Sequence, residues 1–239
     1  IMSQRYVAKT DVGSQRSHNE DSVLATELQG GAVLLAVADG MGGHAAGDVA
    51  SEVALETFEE QLADASVDAI ADWEEHLMDA VTAANEAVLE EQDEQSDMGT
   101  TLVATVIDDG TSIVANVGDS RAYGITQSDI EQISVDQSFV QQLIEQGHID
   151  EEEAEDHPQR NVISQAIGRE ENIDPDFYQV SDVDTVLLCS DGLTEEVNDS
   201  TIHKRTVTAS THEEAAIELI STANDNGGSD NVSVVIGDI

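Results

Sequence analysis

TTLVATVIDDGTSIVANV, residues 100–117, is the stretch whose reading decides the fold. Two apolar, β-branched runs, Thr100 to Asp108 and Thr111 to Val117, flank the dipeptide Asp109-Gly110. Asp-Gly between such runs signals a two-residue hairpin, because the favoured turn needs positive φ at both central positions. A hairpin means antiparallel pairing, which argues against regular βαβ alternation. Working outward, four more apolar runs bounded by Gly or Asp read as strands: Arg5 to Asp11, Gly31 to Ala38, Thr185 to Cys189 and Val232 to Ile236. A 3.6-residue period runs through Val49, Val53, Leu55, Phe58 and Leu62, predicting a helix over Ala45 to Ala63. Ile70, Trp73, Leu77, Val81 and Val88 predict a second over Val67 to Glu91. A short helix over Gln137 to Gln146 ends at Gly147, and another from Thr211 to Asn224 opens on a Thr211-x-x-Glu214 capping box. This order predicts an α+β fold, antiparallel sheets with helices on their outer faces. The chain shows no internal repeat or linker and reads as one domain over residues 1–239. Its polar, weakly periodic stretch at about 147–176 reads as a flap.

The charge balance narrows function by exclusion. Asp and Glu number 51 against 8 Lys and Arg, a net charge of −43. Such a surface repels nucleic acid and anionic membrane, so neither is an expected partner. The acidity has two readings, a disordered solvating segment or a whole surface adapted to high salt. The acids are spread along the chain among apolar residues, which favours the second. The single cysteine, Cys189, permits no intrachain disulfide and sits in an apolar run, as a small buried hydrophobe would. No stretch approaches the ~18 consecutive apolar residues of a membrane span and no signal peptide is visible, so a cytoplasmic location is expected.

Several aspartates stand at strand exits or in glycine-rich turns: Asn19-Glu20-Asp21, Asp39-Gly40-Met41-Gly42-Gly43-His44, Gly118-Asp119-Ser120-Arg121, Ser190-Asp191-Gly192 and Gly228-Ser229-Asp230-Asn231. Hard divalent cations take oxygen ligands, and scattered carboxylates on rigid strand ends supply them. Asp-Gly is also an ordinary turn dipeptide, and 51 acids make chance pairings frequent, so on residues alone both readings stand. A Cys/His zinc site is disfavoured by one cysteine and unclustered histidines, and the Gly40-Met41-Gly42-Gly43 stretch lacks the spacing of a nucleotide-binding loop.

These segments together resemble the metal-dependent protein phosphatases called PP2C-like or PPM, in particular their bacterial-type members. The resemblance runs in order through Thr10-Asp11-Val12-Gly13, Arg16 to Ser22, Asp39 to His44, Gly99-Thr100-Thr101 and Val117 to Tyr123. It continues through His157-Pro158-x-Arg160-Asn161-Val162-Ile163, Leu187 to Thr194, and Gly228-x-Asp230-Asn231-x-Ser233. It implies a four-layer α-β-β-α sandwich and hydrolysis of phosphoserine and phosphothreonine in proteins by water activated at a pair of Mn²⁺ or Mg²⁺ ions. Asp39 matches the carboxylate shared by both ions, Asp191 and Asp230 the other acids of the first, and the Gly40 carbonyl a ligand of the second. Asp21, with Glu20 beside it, matches the acids that hold that second ion directly or through water. Asp119 matches an acid of a weaker third site that Asp191 shares, and Arg16 matches the arginine that grips phosphate. Gly118 and Asn231 are expected to shape the site, Asn231 by fixing the Asp230 turn, and Arg121 to pair with a local carboxylate. The chain departs from the family at Met41, where animal-type members carry a histidine, so the leaving group's proton is expected from metal-bound water or another group; His44 is a candidate, although a helix-entry packing or backbone-bonding role fits it better. It departs again at Asp136-Gln137-Ser138, where a histidine is usual in the middle. The resemblance also implies phosphoprotein partners from a serine/threonine kinase pathway and a monomeric enzyme. The alternatives are a phosphatase of small phosphate esters and a catalytically weak phosphoprotein-binding module.

The dispersed acidity yields the first prediction. Folding or activity will rise between ~0.1 M and ~2 M KCl as self-repulsion is screened; a melting temperature and turnover rate indifferent to salt would refute high-salt adaptation.

Overall fold

A computed structural model describes residues 5–42, 46–65, 67, 69–92 and 97–239. The hairpin of residues 102–117 lies at its centre. Strands β5 (Leu102–Asp108) and β6 (Thr111–Val117) pair antiparallel from Leu102↔Val117 to Asp108↔Thr111. The turn has φ of 44° at Asp109 and 77° at Gly110, the two positive angles that an Asp-Gly turn requires.

From this hairpin one sheet grows in both directions. β3 (Val33–Met41) adds to β5, β2 (Asp21–Glu27) adds to β3, and β9 (Asp176–Val180) adds to β6. Short β4 (Gly99–Thr100) pairs with the last residues of β3. The second sheet has the order β1 (Tyr6–Asp11), β11 (Val232–Asp238), β10 (Thr185–Cys189), β7 (Arg121–Ile125), β8 (Ile130–Gln132). Every pairing in both sheets is antiparallel.

The two faces of β3 show how the layers assemble. Successive side chains of a strand point to opposite faces. Leu34, Ala36 and Ala38 pack with Phe58, Leu62, Trp73 and Leu77 of the first helical layer. Val33, Leu35 and Val37 pack instead with Val186, Leu188 and Val235 of the other sheet. That helical layer is α1 (Ala46–Leu62) and α2 (Trp73–Glu91). On the far side, α6 (Asp199–Thr208) and α7 (His212–Asn226) bury Ile202, Ala215, Leu219 and Ala223 against Tyr123, Leu187, Val234 and Ile236. The result is the four-layer α-β-β-α sandwich. Three short helices complete it: α3 (Phe139–Glu145), α4 (Glu151–Glu155) and α5 (Asp191–Thr194).

Local signals act much as the sequence suggests. Thr211 accepts a hydrogen bond from the Glu214 N–H, while the Glu214 carboxylate reaches one residue further back, to the Ser210 N–H. Gly147 ends the α3 segment at φ 70°, its N–H donating to the Ile144 carbonyl. The second helix starts later than its periodicity predicts. A 3-10 turn at Ile70–Asp72 precedes it, and the buried Trp73 fixes its first turn by donating from Nε1 to Asp108 at the end of β5 (3.2 Å). Among the described residues no helix is long and apolar enough to cross a membrane.

Candidate metal centre

The two sheets direct their strand ends to one place. Asp39 lies at the exit of β3 directly opposite Asp21, the first residue of β2. Asp119 follows β6 through Gly118, Asp191 follows β10 through Ser190, and Asp230 precedes β11. Asp39 feels the charges of Asp21, Asp191, Asp119 and Asp230, so all five carboxylates converge. Asp21 is buried, whereas Asp39, Asp119, Asp191 and Asp230 keep some access to solvent.

This crowding distorts their acidity. Burial, reinforced by the neighbouring aspartates, holds the Asp39 carboxyl well above the usual carboxylate range. Burial is also the main cause for Asp21, pushed up to about 7, for Asp119, about 7, and for Asp191, about 6. Glu20 is raised by burial too, against the pull of Arg16. Asp21 is restrained by hydrogen bonds to one of its oxygens: Oδ2 accepts from Ser190 Oγ (2.8 Å) and Ser233 Oγ (2.6 Å). Among the described residues its Oδ1 is buried without a hydrogen-bond partner, as is Asp191 Oδ1. A buried carboxylate oxygen with nothing to accept from is costly, and a cation is the natural complement.

The backbone is arranged to let the acids meet. Gly40 lies against Gly47 and Glu20 so closely that a Cβ there would overlap the carbonyl oxygens of both. A Cβ on Gly47 would in turn stand 2.9 Å from both the Gly40 oxygen and the Glu20 carboxyl carbon. The Gly40 carbonyl and the Glu20 carboxylate are therefore neighbours. Gly118 adopts φ 99° and rests on Thr101, where a Cβ would stand 2.7 Å from Cγ2. Thr101 ties the two halves together: its Oγ1 accepts from the Asp39 N–H (3.0 Å) and hydrogen-bonds Ser120 Oγ (2.7 Å).

Arg16 is the cation at this edge. Its Nη2 lies 2.5 Å from Asp230 Oδ2, and its side chain is half exposed. Arg121 pairs with Asp136 through Nε (2.9 Å) and Nη2 (2.6 Å) in a bidentate fork, as expected. Asn231 acts differently from the sequence reading. Its side chain accepts from the Glu20 N–H and donates to the carbonyls of Val12 and His18, so it pins the β1–β2 connection rather than its own turn. The Asp230 carboxylate instead takes the Asn231 N–H (2.8 Å). Ser190, Ser233 and Thr101 carry no sequence signal of their own as site residues, although all three stand inside the matched motifs. His44 lies outside the described residues.

A cleft of about 470 Å³ opens beside Asp119 and Asp191, with Val140, Ile144 and Arg160 in its walls. No three His, Cys, Asp or Glu side chains among the described residues form a ready-made cage for a metal. Two of the acids are turned toward other partners, Asp21 to its serines and Asp230 to Arg16. The donor set still fits hard divalent cations: it is all oxygen, it is strongly anionic, and it contains two orphaned buried carboxylate oxygens.

A family model described as protein phosphatase 2C matches residues 13–231. The chain is 36% identical over 234 residues to serine/threonine phosphatase stp of Listeria monocytogenes, covering 95% of this chain and 93% of that protein. It superposes on the crystal structure of serine/threonine phosphatase Stp1 from Staphylococcus aureus with a TM-score of 0.91 at 36% identity, over 100% of this chain and 96% of that one. It also superposes on the catalytic domain of the serine/threonine protein phosphatase PstP, crystallised in complex with 2 manganese ions, with a TM-score of 0.83 at 36% identity, covering 98% and 97% of the two chains.

The raised acidities predict how the metal-free protein responds to pH. An unfolded aspartate releases its proton near 3.8, whereas folded Asp191, Asp21 and Asp119 hold theirs to about 6 or 7. The folded state therefore binds more protons in this window, and stability falls as pH rises from about 4 to 7. In chelator, Asp39→Asn will melt about 2–8 °C above the wild type at pH 7.5, as a gain of roughly 1–2 kcal/mol would give. The gap will narrow as pH falls and close only near pH 4; a gap equal at pH 7.5 and pH 4, or a less stable variant at pH 7.5, would contradict this origin.

Proposed function

Because this chain belongs to the protein phosphatase 2C family, we propose that it hydrolyses phosphoserine and phosphothreonine in proteins, using two Mn²⁺ or Mg²⁺ ions held among its clustered carboxylates. The observation that carries the reading is the meeting of Asp39, Asp191 and Asp230 at strand ends of both sheets, with Arg16 beside them. Asp39 would be shared by both ions, and Asp191 and Asp230 would complete the first site. The Gly40 carbonyl, Glu20, and Asp21 directly or through water would complete the second. Asp119 and Asp191 would hold a weaker third ion. Bound divalent cations supply a nucleophilic water at neutral pH and offset charge on phosphoryl oxygens.

The remaining work falls to the chain. Arg16 presents a planar guanidinium whose donors fit two phosphoryl oxygens, and its exposure leaves it reachable from solvent while Asp230 holds one edge. Thr101 and Ser190 fix the backbone of Asp39 and the side chain of Asp21, so the acids are placed before substrate arrives. Cys189 takes no part: it is buried and its thiol is pushed up to about 12. The cleft of about 470 Å³ beside Asp119 and Asp191 offers room for substrate beyond the phosphate itself, which favours protein substrates over small esters. The flap at about 147–176 would form its outer wall, within a single catalytic domain over residues 1–239. We place the enzyme in the cytoplasm as a monomer that reverses serine/threonine kinases, on a surface suited to high salt.

Asp39→Asn and Asp191→Asn will each lower Mn²⁺-dependent hydrolysis of a phosphothreonine peptide at least ~100-fold. Arg16→Ala will lower kcat/KM by ~10–100-fold, the worth of a charge-assisted hydrogen bond or two. Activity that survives Asp39→Asn and Asp191→Asn would sink the proposed site; a wild type that binds the peptide without Mn²⁺-dependent turnover would establish the binding-module alternative.

A further inference from the structure

Gln137 is half-buried just before α3, and its hydrogen bonds tie together three segments that sequence separates widely. On one side it clasps the turn that carries Asp119: the Gly118 N–H donates to Gln137 Oε1 (2.9 Å), and the Gln137 N–H donates to the Gly118 carbonyl (2.9 Å). On the other side it holds the returning end of the flap. The Ser164 N–H donates to the Gln137 carbonyl (2.8 Å), and Gln165 Nε2 donates to Gln137 Oε1 (3.1 Å). Its own Nε2 donates to Asp176 Oδ2 (2.8 Å) at the start of β9. Gln137 Oε1 is thus the common acceptor for the Asp119 turn and the flap. Two residues further along the flap, Ile167 is bridged in both directions to Thr100, which adjoins the Gly40 end of β3. The flap root is therefore stitched both to the Asp119 turn and to the Gly40 end of β3, and the stitch nearer Asp119 is one residue, through its backbone and its side chain.

We infer that Gln137 is a positioning residue that keeps the Gly118–Asp119 turn in register with the flap and so sets where Asp119 stands during turnover. It acts through Asp119 and touches no reacting atom. A glutamine suits the task because one planar amide supplies an acceptor for two donors and a donor for the Asp176 carboxylate.

The kinetic part of this inference rests on the phosphatase reading, but hydrogen exchange at the Gly118 amide reads the clasp without turnover. In the full chain, Gln137→Leu keeps the bulk and removes the side-chain bonds. Its Gly118 amide will exchange at least about tenfold faster, and kcat on a phosphothreonine peptide will fall by about tenfold with KM altered less, as loss of a hydrogen bond or two implies. Gln137→Glu keeps the acceptor for Gly118 but sets a carboxylate against Asp176, and it too will lose kcat. Adding Asp176→Asn exchanges amide and acid across that contact and will restore kcat to within about twofold of wild type. An unchanged Gly118 exchange rate or kcat in Gln137→Leu would overturn the inference, as would a double variant no better than Gln137→Glu. A wild type without turnover would count against the phosphatase reading alone, leaving the exchange measurement to judge the clasp.

Discussion

Mutual repulsion among carboxylates is the constraint from which this structure is best understood. Two sheets packed through Leu35, Val37, Val186, Leu188 and Val235 force the ends of β3, β6, β10 and β11 into one neighbourhood, and each end carries an aspartate. The hydrophobic layer between the sheets is what holds these like charges together. The protein answers part of the cost itself, with serine donors on Asp21 and Arg16 on Asp230, and leaves part unanswered in the orphaned oxygens of Asp21 and Asp191. A site whose acids hold protons up to about 6 or 7 is one whose protons a divalent cation displaces readily near neutrality.

The rest of the site serves to fix where that charge sits. Glycine is used where chains must touch, as at Gly40 against Gly47 and Glu20. Amide side chains are used where loops must be tied: Asn231 joins the β11 entry to the β1–β2 connection, and Gln137 joins the Asp119 turn to the flap. In a chain with 8 Lys and Arg against 51 acids, the basic residues near the centre are spent on defined partners, Arg16 on Asp230 and Arg121 on Asp136. Neutral amides do the tying elsewhere, which stitches loops without adding to the negative charge.

Sequence reading reached the parts of the fold governed by local signals. Asp109-Gly110 announced the hairpin because its turn demands positive φ, and α1, α2 and α7 showed because one face of each is apolar. It missed β7, whose Arg121 and Gly124 break the apolar pattern, and α6, which buries only Ile202. β2 begins on an aspartate and is only partly buried along most of its length, so it too carried little signal. Strands covered on both faces, such as β3, lose the two-residue alternation that would reveal their orientation. At the site, aspartates at strand exits were visible as positions, but 51 acids made them indistinguishable from turns until the ordered motifs set them apart. The partners of Asn231, Ser190, Ser233 and Gln137 come from segments distant in sequence, so only the folded chain reveals them.

The converging carboxylates are suited to hold two cations. A calorimetric titration of Mn²⁺ into chelator-stripped protein at pH 6.5, in two buffers of different ionisation enthalpy, tests this directly. At least two ions will bind per chain, with a buffer-dependent heat that reports protons released as Asp21, Asp39 and Asp191 ionise. Saturation at a single ion, no binding, or a heat identical in both buffers would contradict it.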